Sequence, residues 1–164
     1  MWTLGILTLS DRSAAGQRDD VSGPTARDLL LAALPGAEVR RMAVIPDDRP
    51  TIETTLRAWA DEDRLALVVT TGGTGLAPRD VTPDATLAVL DYQVPGLAEA
   101  MRAASLAHTP LAMLSRAVAG VRGRTLIVNL PGSPKAVREC LAAIAPALPH
   151  GLEKLAGDPN ECAP

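Results

Sequence analysis

The segment LALVVTTGGTG (65–75) joins a short apolar run to a turn that contains three glycines. The run at 65–70 is typical of a buried strand, and Thr71 begins the turn. Glycine reaches positive φ angles and leaves room beside the backbone because it has no Cβ. Successive N–H groups in such a turn can bind an anion, assisted by the hydroxyls of Thr71 and Thr74. This segment alone fits a tight structural turn and a phosphate cradle equally well.

The same order of apolar run, polar loop and helical pattern repeats along the chain. It predicts strands at 2–9, 37–45, 65–70, 118–121 and 125–130, and helices at 24–34, 51–61, 83–90, 95–107, 134–145 and 148–155. The last two strands can form a hairpin about Arg122-Gly123, and the segment 112–120 is ambiguous. The alternation predicts an α/β fold: a single domain over 1–164 whose mostly parallel sheet is covered on both faces, with a flexible tail at about 156–164.

The composition of the chain is that of an ordinary globular protein. Of its 164 residues, 47% are hydrophobic and 21% are charged, which argues against disorder. Three aromatic side chains and a net charge of -3 are a poor basis for stacking bases or attracting a phosphate backbone, so the sequence predicts no nucleic-acid partner. It shows neither a signal peptide nor an apolar run of membrane-spanning length, which predicts a cytoplasmic protein without a membrane partner.

Two loops that follow predicted strands carry carboxylates: the loop that contains the glycine turn, and the loop after the strand at 37–45. In one, Asp80 comes just after the glycines and has no evident structural duty, whereas Thr82 is predicted to cap the next helix and Asp84 to complement its dipole. In the other, Pro46-Asp47-Asp48 follows a strand, with Asp47 nearest the strand end, and Asp48 or Thr51 can cap the next helix. A carboxylate beside a phosphate requires a divalent cation between them. Asp47 and Asp80 are therefore the candidate ligands of Mg²⁺, held between the α-phosphate and the leaving pyrophosphate of a nucleotide.

Three further segments could complete a site at the same edge of the sheet, since ligands of parallel sheets bind beyond the carboxyl ends of the strands. The segment 129–134 leads into a helix whose free N–H groups suit an anion, although Ser133 also serves as a helix cap. The loop 10–23 carries hydroxyls and carboxylates that suit a polar heterocycle, and a solvated flexible loop is an equally good interpretation. Ser115-Arg116 can bring a hydroxyl and a guanidinium to a phosphate, or form a structural ion pair.

These motifs together resemble the signature of bacterial molybdopterin adenylyltransferases and of the G domains of plant and animal proteins such as gephyrin. The resemblance covers nearly the whole chain in the expected order. The residues that carry it are Ser10-Asp11, Asp20, Ser22-Gly23-Pro24, Pro46-Asp47, 71–75, 79–86, Pro95-Gly96, 114–116 and 129–134.

The resemblance implies a three-layer α/β/α fold, usually trimeric, that uses ATP and Mg²⁺ to transfer AMP to the terminal phosphate of molybdopterin. It implies that Asp47 and Asp80 are the catalytic and metal-binding aspartates. The phosphate-binding set is Thr71, Gly72, Gly73, Thr74, Gly75, Pro131, Gly132 and Ser133, and the molybdopterin set is Ser10, Asp11, Asp20, Ser22, Gly23, Ser115 and Arg116. The product would pass to a molybdenum-insertion enzyme.

Three alternatives are compatible with the same fold. One is a family member without catalytic activity that binds molybdopterin or a partner protein, which the presence of both Asp47 and Asp80 disfavours. A second is the molybdenum-insertion enzyme, whose related domain lies within a much larger chain. A third is the competence-damage class of nucleotide pyrophosphatases, which fits the glycine turn and the 115–116 segment less well.

Overall fold

A six-stranded sheet lies at the centre of the protein, for which a computed structural model describes residues 1–159. The strands are β1 (Thr3–Leu9), β2 (Glu38–Ile45), β3 (Leu67–Thr71), β4 (Tyr92–Gln93), β5 (Ala119–Arg122) and β6 (Thr125–Leu130), in the spatial order β2-β1-β3-β6-β5-β4. Strands β2, β1, β3 and β6 run parallel, whereas β5 and β4 run antiparallel to their neighbours. The mostly parallel sheet and the β5–β6 hairpin confirm the prediction.

Helices cover both faces of this sheet. They are α1 (Asp11–Ala14), α2 (Ser22–Ala33), α3 (Arg49–Arg57), α4 (Thr82–Leu87), α5 (Pro95–Leu106), α6 (Pro134–Ile144) and α7 (Leu148–Ala156), with a π turn at Ala58–Glu62 and 3-10 turns at Pro110–Leu114 and Ala145–Ala147. Alternate side chains of each strand point to opposite faces because the strand is pleated. In β3, Leu67 and Val69 pack with α2, α5, α6 and α7, and Val68 packs with α3 and α4. The result is the three-layer α/β/α fold.

Gly5 in β1 lets the π turn approach the sheet closely. A Cβ added at Gly5 would lie 2.7 Å from the Trp59 ring and 2.7 Å from Leu65. Trp59 is therefore packed against bare strand backbone and is only 7% exposed. This contact closes the core on the α3 side, where Trp59 packs with Leu65 and the side chains of α3.

The structure departs from the sequence prediction at three short elements. Helix α1 lies inside the predicted loop 10–23, and β4 is a two-residue edge strand that the pattern did not indicate. Helix α4 begins one residue earlier than predicted, with Val81 at the cap position and Thr82 already inside the helix, so that the prediction of Thr82 as the cap is wrong. Elements this short carry too little periodicity to be recognised. The predicted flexible tail falls mostly on 160–164, which lie outside the described residues.

Candidate functional site

Four parallel strands end at one edge of the sheet, and the loops that follow them meet there. The backbone N–H of Ser10 after β1 donates to Ile45 O of β2 (3.0 Å), and the N–H of Gly72 after β3 donates to Leu130 O of β6 (3.2 Å). A Cβ on Gly132 would lie 3.4 Å from the Cα of Gly72. Chain segments that are far apart in sequence, such as those around Gly72 and Gly132, are thus brought into contact, as the predicted sheet required.

The glycine turn after β3 has conformations that a side chain would prevent. Gly72 and Gly73 have φ angles of +93° and +66°. A Cβ on Gly72 would overlap Leu9 O, and a Cβ on Gly73 would overlap Thr82 Oγ1 and lie 3.0 Å from Asp47 Oδ1. These glycines are required by the fold itself, so their presence alone does not distinguish a phosphate cradle from a structural turn.

The two hydroxyls of the turn belong to buried residues, and their part in phosphate binding stays a prediction. Thr71 is completely buried and its Oγ1 lies 3.4 Å from Thr8 Oγ1, and Thr74 is only 7% exposed. The backbone of the turn is therefore the part that an anion could reach most easily.

Asp47 and Asp11 are joined by reciprocal hydrogen bonds. The N–H of Asp11 donates to Asp47 Oδ2 (3.1 Å), and the N–H of Asp47 donates to Asp11 Oδ1 (3.0 Å). Arg79 donates to both carboxylate oxygens of Asp11 at 2.9 and 2.8 Å, which holds the pKa of Asp11 below its ordinary value. Asp11, predicted to contact molybdopterin, thus ties the loops after β1, β2 and β3 together.

Asp47 has one oxygen that no residue within 1–159 satisfies with a hydrogen bond. Its Oδ1 is buried and accepts no hydrogen bond, and burial, the largest cause, raises the pKa of this carboxyl. A buried carboxylate oxygen without a partner is costly unless a cation or a proton reaches it. The residues therefore fit a divalent cation at Asp47.

Such a cation would need ligands from the substrates. Within residues 1–159, no three His, Cys, Asp or Glu side chains are arranged to hold a metal ion. Magnesium is commonly bound by one or two carboxylates together with phosphate oxygens and water, which agrees with a site completed by a nucleotide.

Asp80 has a structural duty that the sequence analysis did not recognise. Its Oδ2 accepts from the N–H of Ala77 (2.8 Å), and its own N–H donates to Ala77 O (2.8 Å), which closes a tight turn behind the glycines. Oδ1 makes no hydrogen bond with any described residue and is the oxygen left for a ligand. The inference that Asp80 lacks a structural role is wrong, and its part in metal binding stays a prediction.

Arg116 holds the glycine turn against α4. Its Nε donates to Gly75 O (3.0 Å), and its Nη2 donates to Asp80 O and to Asp84 Oδ2 (3.0 Å). Its backbone N–H donates to Thr74 O (2.9 Å). The structural ion pair that the sequence left open is thus observed, and it lowers the pKa of Asp84. Asp84 does more than complement the helix dipole.

A polar cavity of about 370 Å³ lies on the β1 side of the glycine turn, between α1, the start of α2 and the loop 130–134. The structure brings seven of the predicted site residues together in its wall: Ser10, Asp20, Ser22, Thr71, Gly72, Gly132 and Ser133. Asp20 accepts from Thr8 Oγ1 (2.8 Å) and from the N–H of Gly23 (3.0 Å), and Ser22 Oγ donates to Gly132 O (2.6 Å).

Ser13, Arg18 and Asp19 also line the polar cavity. Ser13 belongs to the loop whose hydroxyls were expected to contact a ligand, whereas Arg18 and Asp19 were not identified from the sequence as site residues. Arg18 forms no ion pair with any described residue, so it is the cation best able to meet an anionic ligand there. Its position in a loop already proposed for ligand binding was the signal that could have identified it.

An apolar cavity of about 260 Å³ lies on the other side of the turn, between α5, the 3-10 turn Pro110–Leu114 and α6. Its lining includes Ala98, Met101, Ala112, Leu114, Ala117 and Cys140, and its rim includes Thr74, Gly75, Ser115 and Pro131. Ser115 and Arg116 therefore lie with the turn and α4 rather than with the loop 10–23. The structure does not bring these two members of the molybdopterin set to the other five.

The fold places the chain in the class of α/β proteins whose ligands bind beyond the carboxyl ends of parallel strands. The chain belongs to the family of molybdopterin-binding domains: the family profile described as "Probable molybdopterin binding domain" matches residues 5–150. This agrees with the resemblance seen in the sequence. No helix within residues 1–159 has the length and apolar character to cross a lipid bilayer.

Individual relatives resemble the chain over most of its length. It is 43% identical to the molybdopterin adenylyltransferase of Helicobacter pylori strain J99, over 94% of this chain and 88% of that protein. It is 48% identical to the molybdopterin adenylyltransferase of Haemophilus influenzae, over 86% of this chain and 72% of that protein. The crystal structure of the molybdopterin biosynthesis enzyme MoaB of Thermus thermophilus superposes with a TM-score of 0.89 at 52% identity, over 98% of this chain and all of that one.

Proposed function

We propose that this chain transfers AMP from ATP to the terminal phosphate of molybdopterin and releases pyrophosphate. The observation that carries the proposal is the buried, unpartnered Oδ1 of Asp47 beside the phosphate-type turn at Gly73. A carboxylate in that state favours a cation, and a cation beside such a turn favours a nucleotide polyphosphate. Molybdopterin is proposed as the acceptor of AMP because the relatives are named molybdopterin adenylyltransferases.

The two cavities suggest how the substrates are arranged. The polar cavity offers hydroxyls, carboxylates and Arg18, which suit the amide and amino groups of a pterin and its phosphate. The apolar cavity begins at Thr74 and Pro131 and suits the flat base of ATP. The polyphosphate would then cross the glycine turn between them, close to Asp47 and Asp80.

The chemistry needs positioning more than acid–base catalysis. An oxygen of the molybdopterin phosphate is already ionised, attacks the α-phosphorus and forms the new P–O bond as the bond to the β-phosphate oxygen breaks. The electron pair leaves with pyrophosphate. Backbone N–H groups at 73–75 and the start of α6, where Ser133 Oγ accepts from the N–H of Ala136 (3.2 Å), would hold the phosphates in line. Mg²⁺ bound at Asp47 and Asp80 would neutralise charge on the phosphates.

The proposal includes a homotrimer. Leu106, Leu111, Met113 and Leu114 are between 44% and 69% exposed although they lie close together in sequence at the end of α5 and in the following 3-10 turn. Exposed apolar side chains grouped in this way favour contact with another protein surface. Light scattering that gives the mass of one chain at micromolar concentration would reject the trimer.

The compartment and the fate of the product belong to the same proposal. ATP is supplied in the cytoplasm, where we place the reaction. Adenylylated molybdopterin carries an activated phosphate that a molybdenum-insertion enzyme would consume by releasing AMP.

The test is a transfer assay with the purified chain, ATP, Mg²⁺ and molybdopterin, in which pyrophosphate and the adenylylated pterin are both measured. Equal amounts of the two products are expected, with neither formed when molybdopterin is omitted. Binding of both substrates without pyrophosphate would reject the enzyme and favour the non-catalytic family member. Asp48→Asn is the matched control for Asp47→Asn, because the Asp48 carboxylate caps α3 by accepting from the N–H (3.1 Å) and the hydroxyl (2.5 Å) of Thr51.

A further inference from the structure

Two buried oxygen atoms of the described residues have no hydrogen-bond partner, and both face Gly73. They are Thr82 Oγ1 and Asp47 Oδ1, and no other buried side-chain nitrogen or oxygen within residues 1–159 is unpartnered. A Cβ on Gly73 would overlap the first and lie 3.0 Å from the second. Since buried polar atoms are nearly always paired, two orphans at one point indicate something that the chain alone does not provide.

The position of Thr82 is fixed by its backbone and leaves its hydroxyl unused. The N–H of Thr82 donates to Gly73 O (3.2 Å), and its carbonyl accepts from Thr86 Oγ1 (2.8 Å). The residue is 0% exposed in the first turn of α4. Valine would fill the same volume without burying an unpaired hydroxyl, so packing alone does not explain threonine here.

Two other carboxylates nearby are engaged in part, although Asp80 Oδ1 stays available for a ligand. Asp11 is bound by Arg79, and Asp80 Oδ2 by the N–H of Ala77. A hydroxyl accepts as well as donates, and a threonine hydroxyl beside a carboxylate is a known arrangement for holding Mg²⁺ or its water at a phosphate.

We propose that the Thr82 hydroxyl positions the divalent cation together with Asp47 Oδ1, by contact with the ion or with a water molecule that the ion holds. This inference deepens the proposed function and rests on it for the nucleotide. It assigns to Thr82 a role distinct from helix capping. It also gives a second reason for Gly73, since a Cβ there would fill the space that the two oxygens share.

The experiment measures cation binding without any transfer. Mn²⁺ is titrated, as a spectroscopic substitute for Mg²⁺, into the protein saturated with a non-hydrolysable ATP analogue, and calorimetry with Mg²⁺ repeats the measurement. Thr82→Val should weaken cation binding by about 10- to 100-fold, the range for a residue that orients a metal. Its melting temperature should be equal to or above that of the unmodified chain, because an unpaired buried hydroxyl is removed. Thr82→Ser should restore the affinity.

Thr86→Val is the matched control. Thr86 is the next threonine on the same face of α4, but its hydroxyl is used: it donates to Thr82 O and accepts from Asn129 Nδ2 (2.9 Å). This variant should melt at a lower temperature and keep its cation affinity.

Two results would overturn the inference. One is unchanged cation affinity in Thr82→Val, and the other is a fall in melting temperature together with affinity, which would make the hydroxyl structural. If the unmodified chain transfers no AMP while Thr82→Val still loses cation affinity, the proposed function fails and the role of Thr82 stands.

Discussion

The two cavities that flank the glycine turn differ in the kind of residue that builds them. The polar cavity is built by loops after parallel strands, and most of its lining belongs to recognisable motifs. The apolar cavity is built by α5, α6 and the 3-10 turn Pro110–Leu114, and its Met, Ala and Cys side chains have the pattern of an ordinary core. For a site that binds two substrates, the sequence can therefore predict one half and not the other. Polar residues in loops indicate a binding site, whereas apolar residues on helices cannot be distinguished from core residues.

The largest effect on the rate of AMP transfer is expected from a substitution of Asp47, which lies between the two cavities. Asp47→Asn should lower the rate of AMP transfer by at least ~10²-fold, the scale of losing one electrostatic contact to the transition state. Binding of molybdopterin should stay unchanged, because Asp47 lines neither cavity. Steady-state rates at saturating Mg²⁺ and calorimetry with the pterin measure both quantities. A rate within a few-fold of the unmodified chain would remove Asp47 from the reaction.

The glycine turn should respond to a single added methyl group. Gly73→Ala combines strain at a positive φ with contact against Thr82 and Asp47, so it should weaken ATP binding more than pterin binding. Gly36→Ala is the matched control, because Gly36 has φ +80° and nothing within 4 Å of an added Cβ. Both variants should lose about 1–2 kcal/mol of stability from strain, but only the first should lose ATP affinity. Equal loss of ATP and pterin would indicate a purely structural turn.

The apolar cavity can be filled without touching the polar one. Ala136→Leu on α6 should crowd the space proposed for the base and weaken ATP binding by about tenfold, since overpacking costs about 1–3 kcal/mol. Molybdopterin binding should be retained. Ala142→Leu on the exposed side of the same helix is the control and should change neither affinity. If Ala136→Leu impairs pterin binding instead, the two cavities have been assigned in the wrong order.

The smallest effect on ligand binding is expected from a substitution of Arg116, which holds the glycine turn against α4. Arg116→Lys loses the fork that bonds Gly75 O, Asp80 O and Asp84, so the turn should loosen. We expect ATP binding to weaken by about fivefold, equivalent to about 1 kcal/mol, and pterin binding to change less. Isothermal titration calorimetry with ATP and with molybdopterin, each alone, measures the two affinities. Selective loss of pterin binding would restore Arg116 to the molybdopterin set.

The sequence by itself determined the layered α/β architecture and the edge of the sheet that carries the loops. Apolar runs such as 65–70 and 125–130 predict strands because burial on both faces demands uninterrupted apolar side chains, and that demand is local. Parallel strands then bring their carboxyl ends together whatever the details. For the same reason the sequence alone groups Asp47 with the glycine turn, and the two are in contact in the folded chain.

Only the tertiary structure decided what each polar side chain does. Asp80 is held by Ala77, Arg116 by Asp84, and Thr82 is left with an unpaired hydroxyl. These outcomes depend on differences of a few tenths of an ångström in the distances between chain segments. Sequence patterns and residue propensities carry no information about those distances. A hydrogen bond has a short range and a strict direction, whereas hydrophobic burial has neither. The sequence can therefore predict which elements pack together, and the folded chain alone determines which polar atoms are left for a ligand.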